Sequence, residues 1–189
     1  MNSIKTLAVI AGFALTSFGA FAQKSQKVNL EKSNLHWVGA KVTGKHEGTI
    51  KLSEGTLVID GKQIKGGKFT IDMNSIEVTD LQGKGKAGLE GHLKNDDFFA
   101  TDKFPTATID FKKVSKVSDN VTRVTADLTI KGKTAPVTFD LTTAANEAKG
   151  TVTVDRTVYG VQYGSKNFFE GIGDKAINDE FTIDVTLVY

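Results

Sequence analysis

The sequence contains no cysteine. Disulfide bonds, thiol chemistry and cysteine-based zinc sites are therefore excluded, and so is the lipid attachment to cysteine that defines bacterial lipoproteins. The chain also lacks blocks of like charge, and its formal net charge at pH 7 is only +2. Because acidic and basic residues are interspersed, nothing in the composition predicts binding to nucleic acid.

The N-terminus has the pattern of a secretory signal. Lys5 precedes an almost wholly apolar run from Leu7 to Phe18, and Ala20-Phe21-Ala22 has the small-x-small form that signal peptidase recognises. The run is shorter than the roughly 18 to 20 residues that a membrane-spanning helix needs. We therefore expect cleavage after Ala22 and export of residues 23–189 as one domain, long enough to form a core without covalent cross-links.

Apolar and polar residues alternate with a period of two along much of the chain, which is the pattern of β-strands. The intervening residues are often Thr or Asp, as at Thr125, Asp127 and Thr129. Each strand then has one dry face and one wet face, as in an antiparallel sheet. The alternating apolar positions are Phe69, Ile71, Met73, Ile109, Phe111, Val124, Ala126, Leu128, Ile130, Val137, Phe139, Leu141, Val152, Val154, Phe181, Ile183, Val185 and Leu187.

Short strands at regular spacing predict an all-β sandwich or barrel. Two stretches break the alternation. Between residues 83 and 104, Leu89, Leu93 and Phe99 are placed to share one face of a short helix, and residues 163–178 read as a folded loop. The predicted turns lie at Asp60-Gly61, Gly66-Gly67, 118–120, 131–133, and Asn146 with Gly150.

Four groups of residues carry motifs typical of a known family. They are residues 92–99 (His-Leu-Lys-Asn-Asp-Asp-Phe-Phe), 104–109 (Phe-Pro-Thr-Ala-Thr-Ile), 128–132 with Pro136-Val137, and Asp155-Arg156 with Tyr159-Gly160. Together they resemble the YceI-like family of bacterial periplasmic proteins. The resemblance extends from about Val28 to Tyr189, although Lys94-Asn95 stands where an Arg-Ser pair is common and Trp37-Val38-Gly39 varies the usual first strand. It implies a periplasmic, extended, lipocalin-like antiparallel β-barrel of about eight strands with one short helix. The ligand it implies is a polyisoprenoid or similar amphiphile lying in the pore.

The interior of an eight-stranded barrel is wide enough either to be filled by side chains or to hold one slender ligand. A long alkyl or isoprenoid chain gains about 0.8 kcal/mol for each CH₂ that it buries. The same inward residues also fit a filled core in which they pack one another. For a lipid ligand, the predicted residues of the bore and its lip are Trp37, Phe69, Ile71, Met73, Leu93, Phe98, Phe99, Phe104, Phe111, Leu128, Ile130, Phe139, Val154, Tyr159, Phe168 and Phe169.

Residues 83–88 spell G-x-G-x-x-G, but no βαβ unit surrounds them and no acidic residue follows at the spacing that a ribose needs. A dinucleotide site is therefore excluded. The amides of this loop, with Lys84, Lys86 and a helix beginning after it, are candidates to hold a phosphate or another polar head, and a solvated flexible loop is the alternative. Arg156 fits either an anion site or an ion pair with Asp96 or Asp97. The full set of head-group candidates is Lys84, Lys86, His92, Lys94 and Arg156.

No catalytic pattern is present in the sequence. There is no G-x-S-x-G motif, no acid pair with acid/base spacing, and no metal-ligand spacing among His36, His46 and His92. We therefore expect a protein without cofactor or catalytic activity that binds a polyisoprenoid, isoprenoid quinone or fatty-acid derivative for storage, transport or stress protection. Monomer and homodimer are both open, as is transient membrane contact. The alternatives are a structural or interaction barrel with a filled core and, third, an enzyme acting on a lipid.

Overall fold

The computed structural model describes residues 24–189. The expected signal segment, residues 1–22, lies outside the described residues. Within them, nine strands form a single antiparallel sheet that is accompanied by one α-helix. The elements are β1 Lys24–Lys27, β2 Asn34–Lys41, β3 Gly44–Asp60, β4 Gln63–Val78, α1 Gly83–Lys94, β5 Thr106–Lys116, β6 Val121–Ile130, β7 Lys133–Ala144, β8 Glu147–Asp155 and β9 Ile177–Val188, with 3₁₀ turns at Arg156–Tyr159 and Gly173–Lys175.

The sheet closes because β3 pairs with β2 on one edge and with β4 on the other. Leu35 of β2 lies opposite Ile50 in the first half of β3, and Lys24 of β1 lies opposite Ile59 in its second half. Strands β2 to β9 therefore form the barrel. Strand β1 pairs with the second half of β3, on the same edge of β3 that β2 occupies in the first half. The predicted antiparallel barrel of about eight strands with one short helix is confirmed for the described residues.

Helix α1 begins earlier than the sequence pattern indicated. Gly83 is its first residue, so the predicted flexible loop at residues 83–88 is wrong, and Phe99 lies beyond the helix end. Two contacts hold the first turns on β4. Lys86 Nζ lies 2.8 Å from Glu77 Oε1, and the Val78 N–H donates to Glu90 Oε1 at 2.9 Å. These tertiary contacts compensate for the low helix propensity of a glycine-rich run.

Two predicted turns, at Gly66-Gly67 and at Gly150, are also wrong, because these residues lie inside β4 and β8. A Cβ on Gly67 would approach the Phe111 ring to 2.8 Å, and one on Gly150 would approach Leu141 Cδ2 to 2.9 Å. Glycine inside a strand commonly marks such a close approach rather than a turn.

The end of the barrel away from α1, which we call the floor, is closed. Three hairpin segments are tied across it, since Thr143 Oγ1 donates to the carbonyl of Lys62 at 2.6 Å and Gln63 Nε2 donates to the carbonyl of Asp119 at 2.7 Å. The strands that these hairpins join carry fully buried apolar side chains. They are Leu57, Ile64, Val124, Leu141 and Ala148.

Candidate functional site

Above the floor, the barrel interior contains two chambers whose exposed walls are entirely apolar. In the lower chamber, Phe111 lies between Phe69 and Phe139, with ring centroids 5.7 and 5.8 Å apart. The volume of this chamber that the centre of a water-sized molecule can occupy is about 50 Å³. Its wall consists of Leu35, Leu52, Phe69, Ile71, Ile109, Phe111, Leu128, Phe139, Leu141, Val152, Val154, Ile183, Val185 and Leu187.

The upper chamber is wider, with about 110 Å³ by the same measure. Ile71, Leu128 and Ile183 line both chambers and therefore form the constriction between them. Because no polar atom is exposed in either wall, a polar group placed there would lose its hydrogen bonds to water without replacement. The remaining residues of the upper wall are Trp37, Gly39, Ile50, Met73, Ile76, Leu93, Phe99, Ala107, Ile130 and Phe181.

A groove of about 570 Å³, which we call the mouth, adjoins the upper chamber at the end of the barrel that carries α1. Trp37, Gly39 and Leu93 line both spaces, so the mouth leads to the bore past these three residues. Unlike the chambers, the mouth has polar walls as well as apolar ones. Its other lining residues are Ala40, Lys41, Thr43, His46, Leu89, His92, Phe98, Tyr163, Asp174, Lys175 and Ile177.

Trp37 is held at this junction by the backbone of β3. Its indole N–H donates to the carbonyl of Thr49 at 3.2 Å, which satisfies the one polar atom of the ring. The ring lies over Gly48, where a Cβ would approach Trp37 Cζ2 to 2.6 Å. The absence of a side chain at residue 48 therefore makes the room that Trp37 occupies.

Aromatic rings connect the end of α1 to both sides of the mouth. The His92 ring lies 5.4 Å from the Phe98 ring and 4.6 Å from the Tyr163 ring, both in edge-to-face geometry. Phe98 in turn contacts Phe99, whose ring centroid lies 6.3 Å from that of Phe181 on β9. Such pairs contribute stabilisation in addition to that from the apolar area they bury, so they hold the rings in a fixed arrangement.

Arg156 is buried behind the mouth and is 2% exposed. Its guanidinium donates to the carbonyls of Val161 at 2.6 Å, Asn178 at 2.9 Å and Ile177 at 3.0 Å. Burial lowers the pKa of Arg156, and the neighbouring carboxylates of Asp179 and Asp155 oppose that shift.

The prediction that Arg156 forms an ion pair with Asp96 or Asp97 is wrong. The acid that Arg156 contacts is Asp179, at 3.5 Å, because the guanidinium points toward the start of β9. Asp96 instead pairs with Lys103 at 2.6 Å on the surface.

Two carboxylates beside the mouth have pKa values below the ordinary range. Burial alone would raise the pKa of Asp80, but hydrogen bonds from His46 Nδ1 at 2.8 Å and from the Glu47 amide at 3.2 Å lower it. The hydrogen bond from Lys86 lowers the pKa of Glu77. Both acids are therefore ionised at neutral pH and hold β3 and α1 in place.

Most predicted residues of the bore and lip line the chambers or the mouth, but Phe104, Tyr159, Phe168 and Phe169 line none of these three spaces. Tyr159 is buried in the core, and Phe104 packs against the turn at Gly132. Phe168 and Phe169 are half-exposed on the segment between β8 and β9.

Of the head-group candidates, His92 lines the mouth, whereas Lys84, Lys86, Lys94 and Arg156 do not. Lys86 is paired with Glu77. Lys94 lies in the last turn of α1, where the helix dipole stabilises a positive charge.

Sequence reasoning missed several lining residues. Ile109, Phe181 and Ile183 belong to alternating segments, so the pattern predicts that they point inward, but it does not indicate that they line the bore. Ile50, Ile76 and Ala107 had no such signal. The polar residues of the mouth come from three separated segments, which are the β2–β3 hairpin with Lys41 and His46, α1 with His92, and the segment before β9 with Lys175, and only the fold brings them together.

Two further observations concern residues 24–189. Within this range no helix combines the length and apolar character needed to cross a membrane. The same residues contain no cluster of three or more His, Cys, Asp or Glu side chains arranged to hold a metal ion.

Comparison with known proteins gives a consistent result. A family model described as "YceI-like domain" matches residues 26–189. The protein YceI of Escherichia coli is 34% identical over 93 residues, covering 49% of this chain and 46% of that protein, so the match spans about half the length of this relative. The "UPF0312 protein" of Pseudomonas putida is 29% identical over 143 residues, covering 73% of this chain and 72% of that protein.

Among solved structures, BcnA of Burkholderia cenocepacia superimposes with a TM-score of 0.69 at 25% identity. The superposition covers 86% of this chain and 99% of BcnA. The names of these three proteins state no enzymatic activity.

Proposed function

Because the chain belongs to the YceI-like family, we propose that it is a periplasmic binding protein that sequesters or carries a long-chain amphiphile in its barrel. The candidate ligands are a polyisoprenoid, an isoprenoid quinone and a fatty-acid derivative. The periplasmic location rests on the signal pattern around Ala20-Phe21-Ala22. The single observation that carries the ligand class is the pair of wholly apolar chambers inside the barrel, the upper of which shares three lining residues with the lower chamber and three with the mouth.

The proposed ligand enters tail first. Its tail passes Trp37 and Leu93, fills the upper chamber, and reaches the lower chamber between Ile71 and Ile183. Each buried CH₂ contributes about 0.8 kcal/mol, so a long tail needs no hydrogen bond inside. The polar head remains at the mouth, where Lys41, His46, His92 and Lys175 line the groove.

The chambers are narrow, at about 50 and 110 Å³ for water-sized centres, so a tail must widen them as it enters. Met73, which lines the upper chamber, has an unbranched and flexible side chain that gives this freedom. We expect the bound protein to differ from the present structure in these rotamers rather than in strand register, which the buried faces fix.

The small volume of the lower chamber favours one competing function. In a non-catalytic structural or stress-response barrel, the same residues would pack as a filled core and binding would occur on the outer surface. This alternative predicts that the purified protein contains no organic ligand and that long-tailed molecules do not reach Trp37.

Two measurements separate the hypotheses. The first is mass spectrometry of an organic extract of protein purified from its native host, in which we expect one dominant lipid at close to one equivalent. The second uses Trp37, the single tryptophan of the chain, as a fluorescent reporter at the entrance to the bore. We expect an isoprenoid quinone to quench Trp37 saturably, while the same quinone ring without a tail quenches only by collision. An empty extract together with unsaturable quenching would refute the proposed function.

A further inference from the structure

Three aromatic side chains between β8 and β9 are exposed beside the mouth. Tyr163 is 46% exposed, Phe168 50% and Phe169 49%. The other aromatic side chains between residues 24 and 189 are less exposed than these three. We refer to residues 161–176 as the mouth loop. Exposed apolar clusters of this kind mark interaction sites on soluble proteins.

The exposure of these rings is built into the loop. The carbonyl of Ser165, a fully buried residue, accepts the N–H groups of Phe168 at 3.2 Å and Phe169 at 3.0 Å. Asn167 Nδ2 donates to Asp179 Oδ2 at 2.6 Å, which fastens the same turn to the start of β9. The two phenylalanines are therefore held outward on an anchored turn.

The mouth loop reaches the entrance to the bore at Tyr163. Tyr163 lines the mouth, and its ring lies 4.6 Å from that of His92. Val42, which is 52% exposed, adjoins the loop because its N–H donates to the carbonyl of Ala176 at 3.1 Å. An apolar phase that received these side chains would lie directly against the mouth.

The charge of the mouth loop argues against a polyanion as its partner. Between residues 163 and 175 there are two lysines, Lys166 and Lys175, and two carboxylates, Glu170 and Asp174, so the net charge is zero. Aromatic and aliphatic side chains on a polar background partition into the interface of a bilayer without needing anionic lipid.

We propose that the mouth loop docks the barrel on the surface of a phospholipid bilayer, with Phe168 and Phe169 inserted at the interface. This inference rests on the proposed function. Every methylene of a long tail adds to the cost of entering water. A mouth pressed against the bilayer lets the tail pass between membrane and bore without that exposure.

The test compares three proteins in flotation with phosphatidylcholine vesicles. They are the wild type, the double variant Phe168→Ser/Phe169→Ser, and Val117→Ser as a matched control. Val117 is 52% exposed but lies in the β5–β6 turn at the floor, opposite the mouth. We expect the double variant to bind vesicles about tenfold more weakly or worse, since two apolar anchors are lost, and Val117→Ser to bind like the wild type. Binding of the wild type should persist at high salt, because screening does not affect apolar insertion.

Docking would be overturned if the wild type did not bind vesicles, which is the result expected for a patch that binds a protein partner. It would also be overturned if all three proteins bound vesicles equally, or if high salt abolished the binding. Quinone quenching of Trp37 in detergent solution is measured on the same proteins. A double variant that still binds quinone but not vesicles supports docking. Absence of saturable quenching in all three proteins, together with an empty organic extract, would refute the proposed function, and that failure is distinguishable from a loss of vesicle binding.

Discussion

The guanidinium carbon of Arg156 lies 5.6 Å from the centroid of the Phe98 ring. Arg156 begins the segment that leads into the mouth loop, and Phe98 follows α1, so one buried cation contacts both sides of the mouth. Its hydrogen bonds to the carbonyls of Val161 and Ile177 fix the loop side, and the cation–π contact fixes the helix side.

Replacing Arg156 by Met should therefore destabilise the protein strongly. The change removes the donors to three main-chain carbonyls and leaves them without partners, at a cost of about 3 kcal/mol or more in the free energy of unfolding. Urea denaturation measures this loss. The control is Arg123→Met, which removes an exposed pair with Asp140 and should change the unfolding free energy far less. Equal effects of the two variants would show that Arg156 is not a structural anchor.

Filling the constriction should shorten the tails that the barrel accepts. Ile183→Phe adds bulk where the two chambers meet, so long isoprenoid quinones should lose affinity by about tenfold or more while short-tailed ones lose little. Titration of Trp37 fluorescence with quinones of increasing tail length measures the effect. Thr153→Phe places the same ring on the outer face of β8, paired across the sheet with Thr182, and should leave the length dependence unchanged. A uniform loss for all tail lengths in Ile183→Phe would contradict a two-chamber path.

Gly48 and Gly39 form a matched pair for testing the position of Trp37. A Cβ on Gly48 would collide with the Glu77 carbonyl and the Trp37 ring, whereas one on Gly39 meets nothing within 4 Å. Gly48→Ala should cost about 1 to 3 kcal/mol of stability and shift the Trp37 emission, because overpacking forces the ring to move. Gly39→Ala should be neutral or slightly stabilising. An unchanged emission spectrum in Gly48→Ala would refute this account.

Acid should weaken the attachment of α1 and β3 near the mouth. The pKa values of Glu77 and Asp80 are lowered, by Lys86 and by the hydrogen bonds from His46 and the Glu47 amide respectively. A lowered folded-state pKa contributes stability that is present above the unfolded value, about 4, and is lost as the pH falls through the folded value. The protection factors of the α1 amides, which correct for the intrinsic pH dependence of exchange, should therefore fall below about pH 4 and stay constant between pH 5 and 7. Glu77→Gln should flatten this acid limb, and an unaltered pH profile in that variant would contradict the assignment.

Much of the barrel was predictable because one face of each strand is buried. Segments such as Leu128–Ile130 and Val137–Phe139 alternate cleanly, and the structure places their apolar residues inside. Strand β3 was not evident from alternation. Its buried residues are Ile50 and Leu52 in the first half but Leu57 and Ile59 in the second, because a bulge between Leu52 and Glu54 moves the inward phase by one residue.

The mouth was harder to predict than the bore. Periodicity reports which face a residue occupies, but not how high it lies in the barrel or which loop covers it. Phe168-Phe169 and Phe98-Phe99 are the same dipeptide, yet the first pair is exposed, because Ser165 anchors it in an outward turn. In the second pair, Phe98 lines the mouth and Phe99 lines the upper chamber. The partner of Arg156 could not be predicted from spacing either, since Asp179 is 23 residues away, whereas Asp96 and Asp97 lie in another of the segments that resemble the YceI-like family.

The hydrogen bonds of Thr143 and Gln63 make the barrel a blind tube. A ligand in this tube must leave through the opening by which it entered. The end of the ligand that enters last therefore leaves first. The distance from Trp37 down to the packed layer at Leu57 also sets a maximum depth, and a tail longer than that depth must fold back or protrude. For the tail-first ligand that we propose, the closed end therefore predicts a limit on chain length, which no open-ended pore of the same width would impose.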